Sequence, residues 1–278
     1  MAPPSIWSEK EERDLQKLLL ANDEGDLAGA LLAIEGCDTS TEEQVRHQLT
    51  QFSNQVQLLL ETNDSIHPAE ALRQVLVEDH DFRGETDEYY HPQNSFLSRV
   101  CERRRGLPIL LSAIWVVVGR MAGLRVEGVG MPGHFLILVD DEEPLFVDPF
   151  DDGQTVTVDD CKAIIKRVYQ DRLPWKSDYL DPLSDTLLVN RVLNNLLNAF
   201  HQQDDIASLY FVVRILSNLH PLQANLLWHQ GRLAERYGDD ERARQAYLDY
   251  VEKFPKGKYF EQAEEKINEE PDESDWMN

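Results

Sequence analysis

The sequence predicts an α+β fold, a helix-rich core with a small antiparallel sheet, followed by a layer of helical hairpins. Three observations predict it. Ile109 to Ala122 is apolar nearly all round, as a helix must be when it is surrounded by core. Leu124 to Met131, Phe135 to Val139 and Leu145 to Val147 then read as strands, the last two joined by Asp-Asp-Glu-Glu-Pro as in a β-hairpin. Beyond a proline-marked link, Pro174 to Pro182, every pattern is helical again, and Pro221 and Pro255 stand 34 residues apart, each closing a pair of helix patterns.

With 278 residues the chain has room for one or two domains. Its 51 acidic against 27 basic residues give a net charge of -24, which repels a phosphate backbone and argues against nucleic acid as a direct partner. Three cysteines, Cys37, Cys101 and Cys161, without CxxC spacing fit a reducing cytoplasm and neither a disulfide framework nor a zinc knuckle. The opening MAPPSIWSEKEERD lacks the apolar stretch of a secretory signal. The longest apolar run, Leu107 to Val118, is broken by Ser112 and falls short of the roughly 20 residues a bilayer requires. A cytoplasmic location, no membrane contact and no cofactor are therefore expected.

In chain order, Glu11 to Asn22, Asp26 to Gly36 and Thr41 to Glu61 place apolar residues at three- and four-residue steps, predicting helices, with Ser40 or Thr41 as a cap for the third. Pro68 opens a fourth, Ala69 to Glu78. The stretch to Gln93 is irregular. Ser95 is then suited to cap a helix from Phe96 to Arg105, whose end carries Arg103, Arg104 and Arg105, read either as an anion site or as cations paired with the chain's own carboxylates. Gly106 breaks that helix, and Pro108 starts the buried one, which Gly123 closes.

A hairpin loop centred near Asp141 sets His134 opposite Asp148 or within one residue of it, and a carboxylate beside an imidazole fixes its tautomer. A satisfied polar contact at a strand end is the alternative. A short strand, Thr155 to Val158, and a helix from Asp159 or Asp160 to Gln170 complete this part. In the last third, Gly231, Ala243, Tyr247 and Pro255 stand where a tetratricopeptide pattern has a small residue, alanine, an aromatic and proline. Leu197, Leu209 and Val213 make a degenerate earlier copy, and Tyr259 to Asn268 a capping helix. The expected division is a helical region over 1–80, a core over 81–172, repeat-like helices over 183–270 and an acidic tail over 271–278.

Helix, strand, and then a hairpin bringing histidine and aspartate is similar to the transglutaminase-like, cysteine-peptidase-like arrangement. The segments YYHPQNSFLSRVCERRRGLPILLS, GLRVEGVGMPGHFLILV and FVDPFDDGQ resemble more closely the regulator-of-sirC type (SirB family) of bacterial proteins, over roughly residues 70 to 265. That resemblance implies a transglutaminase-like domain joined to C-terminal tetratricopeptide helices, and a regulator. The wider resemblance to active transglutaminase-like domains implies a nucleophile fifteen residues before the glycine that ends its helix, here Gly123, and twelve before an arginine, here Arg120. Both counts arrive at Pro108, which has none. His134 and Asp148 match the superfamily's histidine and aspartate.

The expectation is thus a non-catalytic, degenerate protein that binds a protein or peptide, or self-associates, through a retained groove at Asn94, Arg104, Pro108 and His134. The rival is a hydrolase or acyltransferase with His134 as base and Ser112, one helical turn past Pro108, or a distant cysteine as nucleophile. No metal site is expected, because His134 and Asp148 have no third ligand in local spacing.

Overall fold

The computed structural model describes residues 9–170 and 172–269. Residues 1–8, part of the stretch not expected to be a secretory signal, and the expected acidic tail over 271–278 lie outside them. The chain divides into two compact units, one of residues 13–195 and one of residues 1–12 with 196–278. The cut falls inside a helix, after residue 195, and most of the N-terminal helical region lies in the unit that holds the sheet.

The first unit opens within α1 (Glu9–Glu24), from residue 13 on, and continues with α2 (Leu27–Glu35) and α3 (Thr39–Thr62). Asp26 and Asp38 cap the second and third by accepting from Gly29 N and Thr41 N, so the cap of α3 lies ahead of the expected Ser40 or Thr41. The carboxylate begins a helix because it satisfies an amide that has no partner inside the helix. α4 (Pro68–Arg73) is shorter than expected, since Gln74–Asp79 continues it as a π-helix with Val75, Leu76 and Val77 buried. Its cap is His67, whose Nδ1 accepts from Ala69 N at 3.1 Å while Nε2 reaches Glu143 O at 3.0 Å.

Two residues of β1 (Arg83–Gly84) and two of β2 (Arg105–Gly106) pair in parallel, flanking a 3-10 turn Pro92–Ser95 and α5 (Leu97–Arg103). Ser95 does not cap α5; the N-cap is Phe96, and a distant carboxylate, Glu35, accepts from Ser98 N at 2.7 Å. α6 (Pro108–Met121) is buried from Pro108 through Gly119 and packs on α3, α4, α5, β3 (Val126–Val129) and β4 (Leu136–Val139). With β5 (Leu145–Asp148), β6 (Gln154–Val156) and β7 (Pro182–Leu183) these strands form one antiparallel sheet in the order β6-β5-β4-β3-β7. The proline-marked link thus supplies an edge strand, a place where a residue without an N–H is tolerated. α7 (Val158–Tyr169), started by a Thr157/Asp160 capping box, sets Cys161 and Ile165 against Val129 and Leu136 of the sheet and Met131 beside it.

α8 (Asp185–Gln203) leads into the second unit, where α9 (Ile206–Leu219), α10 (Ala224–Tyr237), α11 (Asp240–Lys253) and α12 (Phe260–Asn268) pack successively. Pro221 follows α9 and Pro255 follows α11, ending each helix pair. Close approach of α10 and α11 depends on Gly231: a Cβ there would lie 2.4 Å from Tyr247 Cε1. Tyr247 is fully buried against Trp228, with ring centroids 5.4 Å apart. The chain is therefore helix-rich α+β, as the patterning predicts, and no helix among the described residues is long and apolar enough to cross a membrane.

Gly231→Ala forces a methyl group into this ring, and we expect a loss of about 1–3 kcal/mol in unfolding free energy, measurable by urea denaturation.

Candidate functional site

The segment Met131–His134 is a turn in which Pro132 presets the second residue and Gly133 takes φ +78°, a conformation that favours glycine. His134 N donates to Met131 O at 3.3 Å, which delivers the imidazole to the head of β4. At the end of β5, Asp148 accepts from Phe150 N at 3.0 Å and Asp151 N at 3.3 Å through Oδ1, the short-range carboxylate turn that Asp makes readily. Its other oxygen, Oδ2, lies 2.5 Å from His134 Nε2.

The pair forms, but not by direct cross-strand opposition. Ile137 faces Val147 and Val139 faces Leu145, so the ladder would set Leu136, not His134, opposite Asp148. His134 is two residues before that position, at the end of the turn that leads into β4, and reaches Asp148 from there. The shift has a local cause: Asp140 N bonds back to Arg125 O at 2.9 Å, and Pro144 has no N–H, so pairing stops at Val139 and Leu145 and the loop centre moves to Glu142. With Nε2 held by Asp148, Nδ1 is the ring nitrogen left for another group.

Burial is steep here. The His134 side chain is 16% exposed and that of Asp148 9%. Phe150 follows Asp148 and stands edge-on to His134, with centroids 6.4 Å apart. It packs against β1, where a Cβ at Gly84 would sit 2.7 Å from its ring.

The other expected site residues lie in different settings. Pro108 occupies the first turn of α6 and is buried. Asn94 does not line an open groove: it is fully buried, donates to Glu88 O at 2.6 Å and accepts from Arg103 at 2.8 Å. Its carbonyl accepts from Leu107 N at 3.2 Å, so Asn94 ties the entrance of α6 to the loop before it. Arg104 likewise turns elsewhere, with its guanidinium 4.6 Å from the Phe82 ring centroid and 5.1 Å from that of Phe52. Arg103 pairs with Glu85 and Arg105 with Asp81, so the arginine cluster is largely absorbed by the chain's own carboxylates and rings. Ser112 is fully buried and its hydroxyl has no hydrogen-bond partner, as is true of the indole nitrogen of Trp115 one turn on.

The thiols are equally inert. Burial, reinforced by Glu35, pushes Cys37 up to about 12, and burial does the same for Cys101. Cys161 is raised too, chiefly by burial and then by Asp160. A thiol in this range holds its proton at neutral pH and is a poor nucleophile. Among the described residues no group of three His, Cys, Asp or Glu side chains is arranged to hold a metal. A separate cavity of about 190 Å³ opens between α1, α2 and α3, but Arg46 there already pairs with Asp26 and Glu42, and Lys17 with Glu42.

Residues 43–194 match the transglutaminase-like superfamily. The chain belongs to that superfamily. It is 29% identical over 189 residues to a UPF0162 protein of Xylella fastidiosa strain 9a5c, covering 66% of this chain and 67% of that one. A second Xylella UPF0162 protein is 33% identical over 48% of this chain and 49% of its own. F-box only protein 21 of Mus musculus is 26% identical over 68% of this chain but only 31% of its own, so the shared region is part of a longer protein.

Asp148 holds a turn as well as an imidazole, so Asp148→Ala should destabilise the fold by at least about 1 kcal/mol more than His134→Ala in urea titrations. Alkylation of native Cys37, the partly exposed thiol, by iodoacetamide should keep rising through pH 10. An ordinary cysteine would level off above its usual value of about 8.5. In urea all three should react at the ordinary rate.

Proposed function

We propose that this chain is a non-catalytic member of the superfamily, a binding and regulatory module whose cleft at His134 and Asp148 holds a segment of another protein. One observation carries the reading: a buried proline stands at the helix start where family spacing implies the nucleophile, while the histidine and aspartate persist in contact. Losing a nucleophile alone removes a factor on the order of 10⁶ from such catalysis. The substitutes fare poorly, because Ser112 is sealed in the core and the three thiols are held protonated. The relatives named F-box only protein 21 support a role in protein interaction.

The second unit fits the same reading. Its helix pairs, each followed by proline, and the close Gly231 to Tyr247 contact support a tetratricopeptide-like assignment, and with it membership of the SirB type. Few repeats are present, so these helices would offer a short surface for one partner or for a second copy.

Treatment with a serine-directed fluorophosphonate and a thiol-directed acyl probe should give no labelling that depends on His134. Labelling of the native protein that disappears in His134→Ala would show a working nucleophile and remove the non-catalytic reading.

A further inference from the structure

From His134 a chain of aromatic rings runs outward to the surface. Its ring centroids are 6.4 Å apart from His134 to Phe150, 6.3 Å from Phe150 to Tyr89 and 5.3 Å from Tyr89 to Tyr90, each pair near edge-on. Exposure rises along it, to 37% at Tyr89 and 61% at Tyr90. Single exposed aromatics are ordinary; two in succession that continue into a buried His–Asp pair make a connected surface.

The loop that presents these tyrosines is fixed from beneath. Glu85 accepts from Asp87 N at 2.9 Å and from Arg103 at 3.2 Å. The buried Asn94 amide donates to the carbonyls of Glu88 and Tyr89 at 2.6 and 3.3 Å. Such a surface is preorganised, and a ligand need not order it on arrival. Its rim is negative. Asp87, Glu88 and Asp151 are exposed and make no ion pair among the described residues, while the nearby Arg83 is already engaged by Asp81 and Asp152.

We infer that the His134–Phe150–Tyr89–Tyr90 ladder with its acidic rim is a docking site for a protein segment bearing arginine or lysine side chains. Aromatic rings attract such cations through their faces, and the unpaired carboxylates add a field of matching sign. Tyrosine also gives large contact area at low cost in ordering, which suits it to recognition. The inference rests on the binding reading above and adds the chemistry of the occupant.

A short fluorescein-labelled Gly/Ser peptide carrying arginine at alternate positions, its citrulline counterpart and its glutamate counterpart, titrated against the full chain by anisotropy, test it. The arginine peptide should bind, the citrulline form about fivefold more weakly or worse and the glutamate form not at all. Tyr90→Ala, and separately Asp87→Asn with Glu88→Gln, should each weaken arginine binding about two- to fivefold, with added salt reducing the second effect. Glu264→Gln with Glu265→Gln on α12 makes the same charge change elsewhere and should leave binding unaltered.

Equal loss in that control, or indifference to Tyr90, would mean diffuse attraction to an acidic protein and would overturn the inference. So would failure of the arginine peptide to bind. A random peptide-display selection against the same protein separates the two readings. Tyr90-sensitive binders lacking basic residues would remove the cationic occupant and leave the binding role intact. A selection with no binder sensitive to Tyr90 or His134 would remove both.

Discussion

The first unit depends on the complete burial of one helix. From Pro108 to Gly119 every residue of α6 is buried, so the helix must be walled on all sides, by α3, α4 and α5 and by the sheet. Nearly every side chain on it is apolar, because an unpaired polar group in that setting carries a desolvation cost. Only the start of the helix, where amides lack intrahelical partners, is suited to charge or chemistry, and proline stands there. Ser112 shows the same constraint from the other direction: its hydroxyl lies in the core without a partner.

That constraint is also why so much was legible in the sequence. A helix without a polar face and a pair of short strands split by acids and a proline can be recognised from residue pattern alone, and both are present. The His134–Asp148 contact was legible as proximity but not as register, because register depends on where Asp140 sends its N–H, and the acceptor is Arg125, just ahead of β3. Caps failed for a similar reason. Local pattern favours Ser40 or Thr41 before α3 and Ser95 before α5, whereas the folded chain uses Asp38 for the first and brings Glu35 from sixty-three residues away to the second. Asn94 read as a groove residue because a polar side chain near a suspected site suggests binding; only the three-dimensional arrangement shows its amide consumed by the loop beneath Tyr89.

The charge excess acquires a geography. The arginines of the first unit are mostly spent internally: Arg46 on Asp26 and Glu42, Arg73 on Glu70 and Glu78, Arg120 on Asp185, Arg105 on Asp81. Exposed pairs of this kind add little stability individually. Their effect on recognition is larger, since each engaged guanidinium leaves other carboxylates without a counter-charge. An acidic composition thereby becomes an acidic rim at Asp87, Glu88 and Asp151, beside the rings that lead inward to His134.

The π-helix after α4 has a consequence for reading this family by alignment. A π turn holds one residue more than an α turn, so the segment Gln74–Asp79 behaves as an insertion absorbed inside a helix instead of in a loop. The carbonyl of Val77 in this wider turn receives the Arg83 guanidinium at 2.9 Å, just before β1 supports Phe150. A relative one residue shorter here would regain a regular helix and rotate its end by about 100°, the angular step of one helical residue. Single-residue gaps between 74 and 79 are therefore a geometric marker: they would separate relatives that keep this support from those that have rebuilt it.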